Sequence, residues 1–351
     1  MTELEILRLP AIDSLKQLLN ISTPNSGHPN LGFQSLGLHV DDLEAQHAIL
    51  NEHDEVQFNT GIEFPSVVYR GQVQEFDTCM PGLGRLNNIE DKLVSICRNI
   101  AFEDAIRVHP YVSYCAQQEF NGHSIHVDYQ GLAQHYGFHT NMIDVTSNFD
   151  VASFFASCEW SAKKGCYIPV ASGAKPGVIY SVIPALFVPG STQTAKFNFV
   201  GWQPLPRPAQ QRAGAFILPH GKCFTNLPSV QRMYFRHDET AAEKLLQAFD
   251  GGKALFPHDE AAALSYLAKD LVLVTRGQLE RAWKMLENWE GRYFSKKRRS
   301  NVFKASDLKI VKKPPLNWAC YNLPAQHDKL HTKLNSELNN VRLRLTYRPP
   351  I

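Results

Sequence analysis

Residues 129–160 read YQGLAQHYGFHTNMIDVTSNFDVASFFASCEW, and the fold turns on how this stretch is read. Leu132 to Tyr136 continues an expected helix. Gly137 is its stop signal, because the residue just past a helix commonly adopts a left-handed conformation open to glycine. Met142, Ile143 and Val145 predict a short buried strand interrupted by Asp144. A second helix start follows. Ser147 with Asp150 three residues later has capping-box spacing, and Val151, Ala152, Phe154 and Phe155 supply an apolar face. Polar side chains stand at every corner of this helix, turn, strand and helix: Gln134, His135, His139, Thr140, Asn141, Asp144, Thr146 and Ser147. A buried polar group without a partner costs about 1–3 kcal/mol. These groups therefore either satisfy one another or line a cleft.

Outward from this centre, the strands predicted are 67–70, 178–183, 213–218 and 230–235, and the helices are 88–108, 240–249 and 259–268. Short strands mixed with helices, without regular alternation, give an α+β class and exclude a doubly wound sheet. Arg70 ends an apolar strand and is followed by Gly71, which suits a planar cation reaching from a sheet toward a phosphate or carboxylate, or equally a surface arginine paired with a local acid. Residues 1–60 read as a helical extension, with a helix at 41–53 capped by Asp41 or Asp42 after a loop at 24–37. Residues 271–351 read as a basic, largely helical segment, with helices at 278–289 and 327–339 and a basic block from Lys296 to Arg299.

The 351 residues are 44% hydrophobic and 20% charged, the composition of a soluble globular chain. Seven cysteines lack any Cys-x-x-Cys spacing, so they are expected to be reduced thiols of a cytoplasmic protein, and no metal site is expected. No apolar run is long enough to span a membrane, and MTELEILRLP does not read as a signal peptide. Net charge is +2, yet residues 290–351 carry 14 Lys/Arg against 4 Asp/Glu. That asymmetry reads as a solvated charged face or as a surface for an anionic partner. Neither a P-loop nor a G-x-S-x-G nucleophile elbow is present.

YRGQ at 69–72, MPGLGR at 80–85, LAQHYGFHTNMIDVTSNFDVASFFA at 132–156, RPAQQRAGAF at 207–216 and KLLQAF…ALFPHDEAA at 244–263 resemble, in order, the motifs of the FRG domain. The resemblance spans about residues 64–268, so the chain divides into 1–60, an FRG-like domain at 61–270, and 271–351. Asn141, Val145 and His139 depart from the Arg, Trp or Phe, and Pro usual in the family. The FRG domain in turn resembles the ADP-ribosyltransferase fold, a split pair of small sheets gripping NAD between them. The resemblance implies that Arg70 and Gly71 hold the dinucleotide, that Thr146 and Ser147 shape the nicotinamide side, and that Tyr136 and Phe138 form its aromatic wall. The glutamate position of that fold falls near Gln210 and Gln211, neither of them an acid. A glutamine can orient a ribose hydroxyl but is no general base. Asp144 is the nearest acid, and His135 can carry a proton at neutral pH. Both also read as structural residues, Asp144 as an anchor and His135 as a satisfied packing residue. The implied activity is transfer of ADP-ribose from NAD to a protein or nucleic-acid acceptor, of the kind found in toxins and phage-defence proteins with an antitoxin or regulatory partner. A binding module that lost the chemistry, or nucleic-acid binding through the basic segment, are the alternatives.

Overall fold

The structure, a computed structural model, describes residues 3–18, 46–60, 65–188, 191, 193–318, 327–339 and 341–343. The chain opens with helices α1 (Glu3–Leu7) and α2 (Ile12–Leu18) and the strands β1 (Gln46–Leu50) and β2 (Val56–Thr60). Then come β3 (Val68–Gln72), the long helix α3 (Ile89–Arg107), α4 (Pro110–Cys115), β4 (Glu119–Phe120), β5 (His123–Ser124), α5 (Tyr129–His135), β6 (Met142–Thr146) and α6 (Phe149–Ser157). They are followed by β7 (Cys158–Ser161), β8 (Cys166–Pro169), β9 (Gly177–Val182), β10 (Lys196–Phe199), α7 (Arg207–Gln210), β11 (Ala213–Ile217), β12 (Gln231–Phe235), α8 (Glu239–Ala248) and α9 (Glu260–Lys269). The last described elements are β13 (Leu273–Thr275), α10 (Arg276–Glu290), α11 (Lys296–Ala305), β14 (Lys309–Val311), α12 (His327–Glu337) and β15 (Val341–Leu343). The class is α+β.

The main sheet has six strands in the order β10-β11-β6-β3-β9-β12, antiparallel throughout. Its two halves differ sharply from their junction. β6 pairs with β11 over five residues, and β3 pairs with β9 over five, but β3 and β6 meet only at Tyr69 opposite Thr146. Beyond that pair the two strands diverge. One reason lies on β3, where a Cβ built on Gly71 would stand 1.8 Å from the backbone oxygen of Ala152. The glycine lets β3 lie against α6 rather than along β6.

Side chains alternate across the sheet, as a period of two requires. Val68, Val178, Tyr180 and Val182 pack on one face with Phe187, Phe197, Phe216 and Phe224. Tyr69, Ile179 and Phe235 pack on the other with α2 (Ile12, Leu15) and α6 (Phe149, Ala152, Ala156). α3 is buried on two sides: Phe102, Ala105 and Ile106 face α5 and α9, while Leu93, Ile96, Cys97 and Ile100 face α10 and α11. The 271–351 segment thus joins the helical layer through Leu279, Trp283, Leu286 and Val302. Here α10 begins on a capping box between Thr275 and Gln278 and ends at Gly291, with φ +67°.

Two expectations need correction. Residues 46–60 form a hairpin, not a helix, while residues 41–45 and 24–37 lie outside the described residues. The side chain of Asn51 accepts hydrogen bonds from the backbone N–H groups of His53 (2.8 Å) and Glu55 (3.0 Å), and Asp54 takes φ +58°. That side-chain turn reverses the chain, and Val56 and Phe58 then bury alternate positions of β2. Second, α6 is capped by Asn148 rather than Ser147: its Oδ1 accepts from the N–H groups of Asp150 (2.8 Å) and Val151 (3.2 Å). Gln210 and Gln211 lead, with Arg212, into the expected strand β11. They end the short helix α7, and Arg212, at φ +48°, turns the chain into β11.

Candidate functional site

A cavity of about 330 Å³ opens where β3 and β6 part. Arg70, Gly71 and Gln72 line it from β3, Asp144, Val145 and Thr146 from β6, and His135 from α5. Val151, Ala152 and Phe155 of α6 form an apolar wall, Gln211 closes one end, and Phe76, 45% exposed, stands at the mouth. Segments near positions 70, 144 and 211 therefore converge.

Polar groups around the cavity are held by a connected set of hydrogen bonds. The Arg70 Nη1 donates to the backbone oxygen of Asp144 at 2.8 Å, so the guanidinium spans the gap left by the missing ladder. Gln134 Nε2 donates to Asp144 Oδ2 at 3.0 Å. Gln134 is itself fixed by Thr140, whose hydroxyl donates to Gln134 Oε1 and accepts from the Met142 N–H at 3.0 Å. Thr146 Oγ1 donates to the Gln211 backbone oxygen at 2.7 Å and accepts from the Asn148 N–H at 3.0 Å. Its hydroxyl is committed to positioning Gln211.

The Gln211 amide decides the state of His135. Its Nε2 donates to the backbone oxygen of Leu255 at 3.0 Å, which leaves Oε1 facing His135 Nδ1 at 3.0 Å. An amide oxygen only accepts, so Nδ1 carries the proton. In the neutral imidazole the lone pair is then on Nε2, which lies 3.9 Å from Asp144 Oδ1. Neither of these two atoms has a hydrogen-bond partner among the described residues, and the same is true of Arg70 Nε and Gln72 Oε1. Buried polar atoms are nearly always paired. Four residues with an orphaned atom around one cavity make a set of donors and acceptors suited to a polar ligand.

Other expected residues lie elsewhere. Tyr136 is 1% exposed and packs on Phe102 in the helical core, its hydroxyl donating to Asp259 Oδ2 at 2.5 Å and its ring under the Arg207 guanidinium. Burial, and then the Asp259 carboxylate, push its phenol far above the ordinary range, so it exchanges no proton at neutral pH. Phe138 stacks on Phe102 and also misses the cavity. The aromatic wall is instead Phe155, with Phe76 at the mouth. Ser147 is half-buried and does not line the cavity. Gln210 is exposed and faces a second hollow of about 620 Å³, bounded by Trp202, Arg212 and Phe249. Gln72 and Phe76 were not singled out by sequence as site residues. The signals available were an amide ending the Tyr-Arg-Gly strand and a lone aromatic in the polar run QVQEFDT.

Among the described residues no cluster of three His, Cys, Asp or Glu side chains could hold a metal ion, and no helix is long and apolar enough to cross a membrane. No curated protein and no solved structure matches the chain. A family model does match: from just before β3 to just past β7, residues 65–165 are similar to the FRG domain.

Proposed function

We propose that this cavity binds the nicotinamide-ribosyl end of NAD and that the protein transfers ADP-ribose to a macromolecular acceptor, protein or nucleic acid. The supporting observation is the convergence of Arg70, Asp144, His135 and Gln211 on one cavity with polar atoms left unpaired. The split between β3 and β6 also suits the family resemblance, which implies NAD held between two halves of a sheet. The volume lies at the small end of the roughly 300–1,000 Å³ typical of ligand sites, enough for one end of a dinucleotide.

Each residue then has a task. Arg70 offers its free Nε edge to a phosphate or ribose oxygen. The apolar wall of Val151, Ala152 and Phe155 takes the nicotinamide ring and keeps water from the sugar carbon. NAD supplies a glycosidic bond whose leaving group departs as neutral nicotinamide with the bonding pair. The Asp144 carboxylate faces the positive charge that develops on the ribose. As the acceptor oxygen or nitrogen bonds to that carbon, its proton passes to His135 Nε2. Gln211 is a positioning residue, holding the tautomer through Nδ1. Such an enzyme fits a cytoplasmic toxin or phage-defence role, restrained by an antitoxin or regulatory partner.

A second reading, a nucleotide-binding module without turnover, is favoured by one feature: among the described residues Asp144 is the single carboxylate lining the cavity, and it is already engaged by Gln134. Titration with NAD, followed by calorimetry and by nicotinamide release, separates the two. The enzyme requires both binding and release, each lost in Arg70→Ala. Binding without release selects the module. No binding at all, or an Arg70→Ala protein like the wild type, removes both.

A further inference from the structure

We propose that the outer surface of α11 and the residues after β14 form a binding site for a single-stranded nucleic acid, independent of the cavity. Residues 290–313 contain nine Lys/Arg and two Asp/Glu. A charge run is ordinarily a solvated face, but here two of the nearby acids, Glu290 and Glu287, are drawn inward. Glu290, with a side chain 4% exposed, is turned inward onto Lys92 of α3 at 2.7 Å. The preceding acid, Glu287, is 5% exposed and held by Arg299 at 2.6 Å. Two of the nearby carboxylates are therefore consumed beneath this surface, which leaves Asp307, just past the end of α11, as the exposed acid of 290–313.

Above them Lys296, Lys297, Arg298 and Lys304 on α11, and Lys312 and Lys313 beyond β14, are exposed. None of the six is in an ion pair among the described residues. Helix stability does not explain their placement. Three of them occupy the first turn of α11, which has no acid, and the helix dipole disfavours positive charge there. Val302 and Arg299 mark the inward face, so Lys297 and Lys304, seven residues apart, share the outward one. Just ahead of the helix, Tyr293 is 91% exposed beside the exposed Arg292. An aromatic ring held in water next to a row of unneutralised cations is the combination that binds a phosphodiester strand: cations follow the phosphates, and the ring stacks on an unpaired base. An acidic protein would use the cations but has no base to stack on the ring.

The test is fluorescence anisotropy of the full chain with a short labelled single-stranded oligonucleotide. With about four phosphates neutralised, affinity should fall roughly 50-fold between about 50 and 200 mM salt. The triple variant Lys296→Glu, Lys297→Glu, Arg298→Glu should lose most of that salt dependence and the binding with it, while keeping its melting temperature. Tyr293→Ala should weaken the strand at least about fivefold and leave the weaker duplex binding unchanged. Should the triple variant prove misfolded, Lys312→Glu with Lys313→Glu is the second probe and should also reduce the salt slope. The proposal is overturned by absence of binding at low salt, by unchanged binding in the charge-reversal variants, or by Tyr293→Ala without effect. Equal or tighter binding of the duplex, of phosphatidylserine vesicles or of polyglutamate overturns it as well.

Discussion

The cleft between β3 and β6 and the seam between α3 and α10 bury similar polar side chains to opposite effect. In the seam, Lys92 meets Glu290 at 2.7 Å and Gln278 Nε2 donates to Asp104 at 2.9 Å, and beside it Glu287 of α10 meets Arg299 of α11 at 2.6 Å. In the cleft, Arg70, Gln72, His135 and Asp144 each keep one buried atom without a partner. Stability is served by closing such groups on one another, and binding by leaving them open. The difference teaches that several unfinished hydrogen bonds around one cavity can mark a site, whereas an isolated one, such as Trp289 Nε1 in the seam, does not.

Mutations in the two regions should therefore separate folding from function. The largest expected effect is in the seam. Lys92→Met leaves Glu290 as a buried carboxylate with only peripheral cations, and should cost about 4 kcal/mol in denaturant unfolding while NAD binding persists. A loss of binding with intact stability would reverse the roles assigned to the two regions.

A second test uses a buried nitrogen that is unpartnered yet borders neither cavity. His109 caps α4 by accepting from the Val112 N–H through Nδ1, and its Nε2 is unpaired. Burial pushes its pKa down from 6.5 to about 4. Between those values the unfolded chain binds the proton and the folded chain does not, so stability rises with pH. The contribution is complete above about 6.5 and is lost as pH falls toward 4, a change of about 3 kcal/mol. His109→Asn keeps a capping side chain and should flatten the acid limb of the unfolding free energy relative to the wild type. A variant with an unchanged pH profile would show that burial does not govern this nitrogen.

In the cleft, Gln211→Glu places an acid near the position where the proposed resemblance to the ADP-ribosyltransferase fold would put a glutamate, yet under the proposed function it should not raise activity. A carboxylate beside Nδ1 favours the imidazolium and occupies the lone pair of Nε2 with a proton. Nicotinamide release should fall about tenfold and its pH profile move upward. An increase in rate would instead make residue 211 the catalytic acid-base group. Tyr136→Phe sharpens the comparison from the other side. It removes one hydrogen bond to Asp259, costing about 1 kcal/mol, and should leave nicotinamide release unchanged, as monitored by thermal unfolding beside the activity assay.

Much of the main architecture was legible because its signals are local. Gly137 ends its helix in the left-handed region, and the apolar runs at 142–146 and 177–182 are strands. The 46–60 hairpin was not legible, since the side-chain turn of Asn51 overrides the helix-forming residues around it. At the site, the chemistry-bearing residues could be named, but their directions could not. His135 and Tyr136 are neighbours, and about 100° of helical rotation separates them. One faces the cleft and the other the core. Gln210 and Gln211 divide in the same way between two hollows. Such facing depends on packing by α9 and the Leu255 loop, which are distant in sequence.

The junction at Tyr69 and Thr146 also limits how the protein can be cut. The recognised stretch, 65–165, contains both central strands of the sheet but neither of their outer partners, β9 and β11. Excised at those bounds, β3 and β6 would present bare ladder edges to solvent and to each other's copies, a template for aggregation. Gln211 would be missing as well. The span that homology detects is thus shorter than the span that can fold, and a minimal soluble fragment must reach past β12.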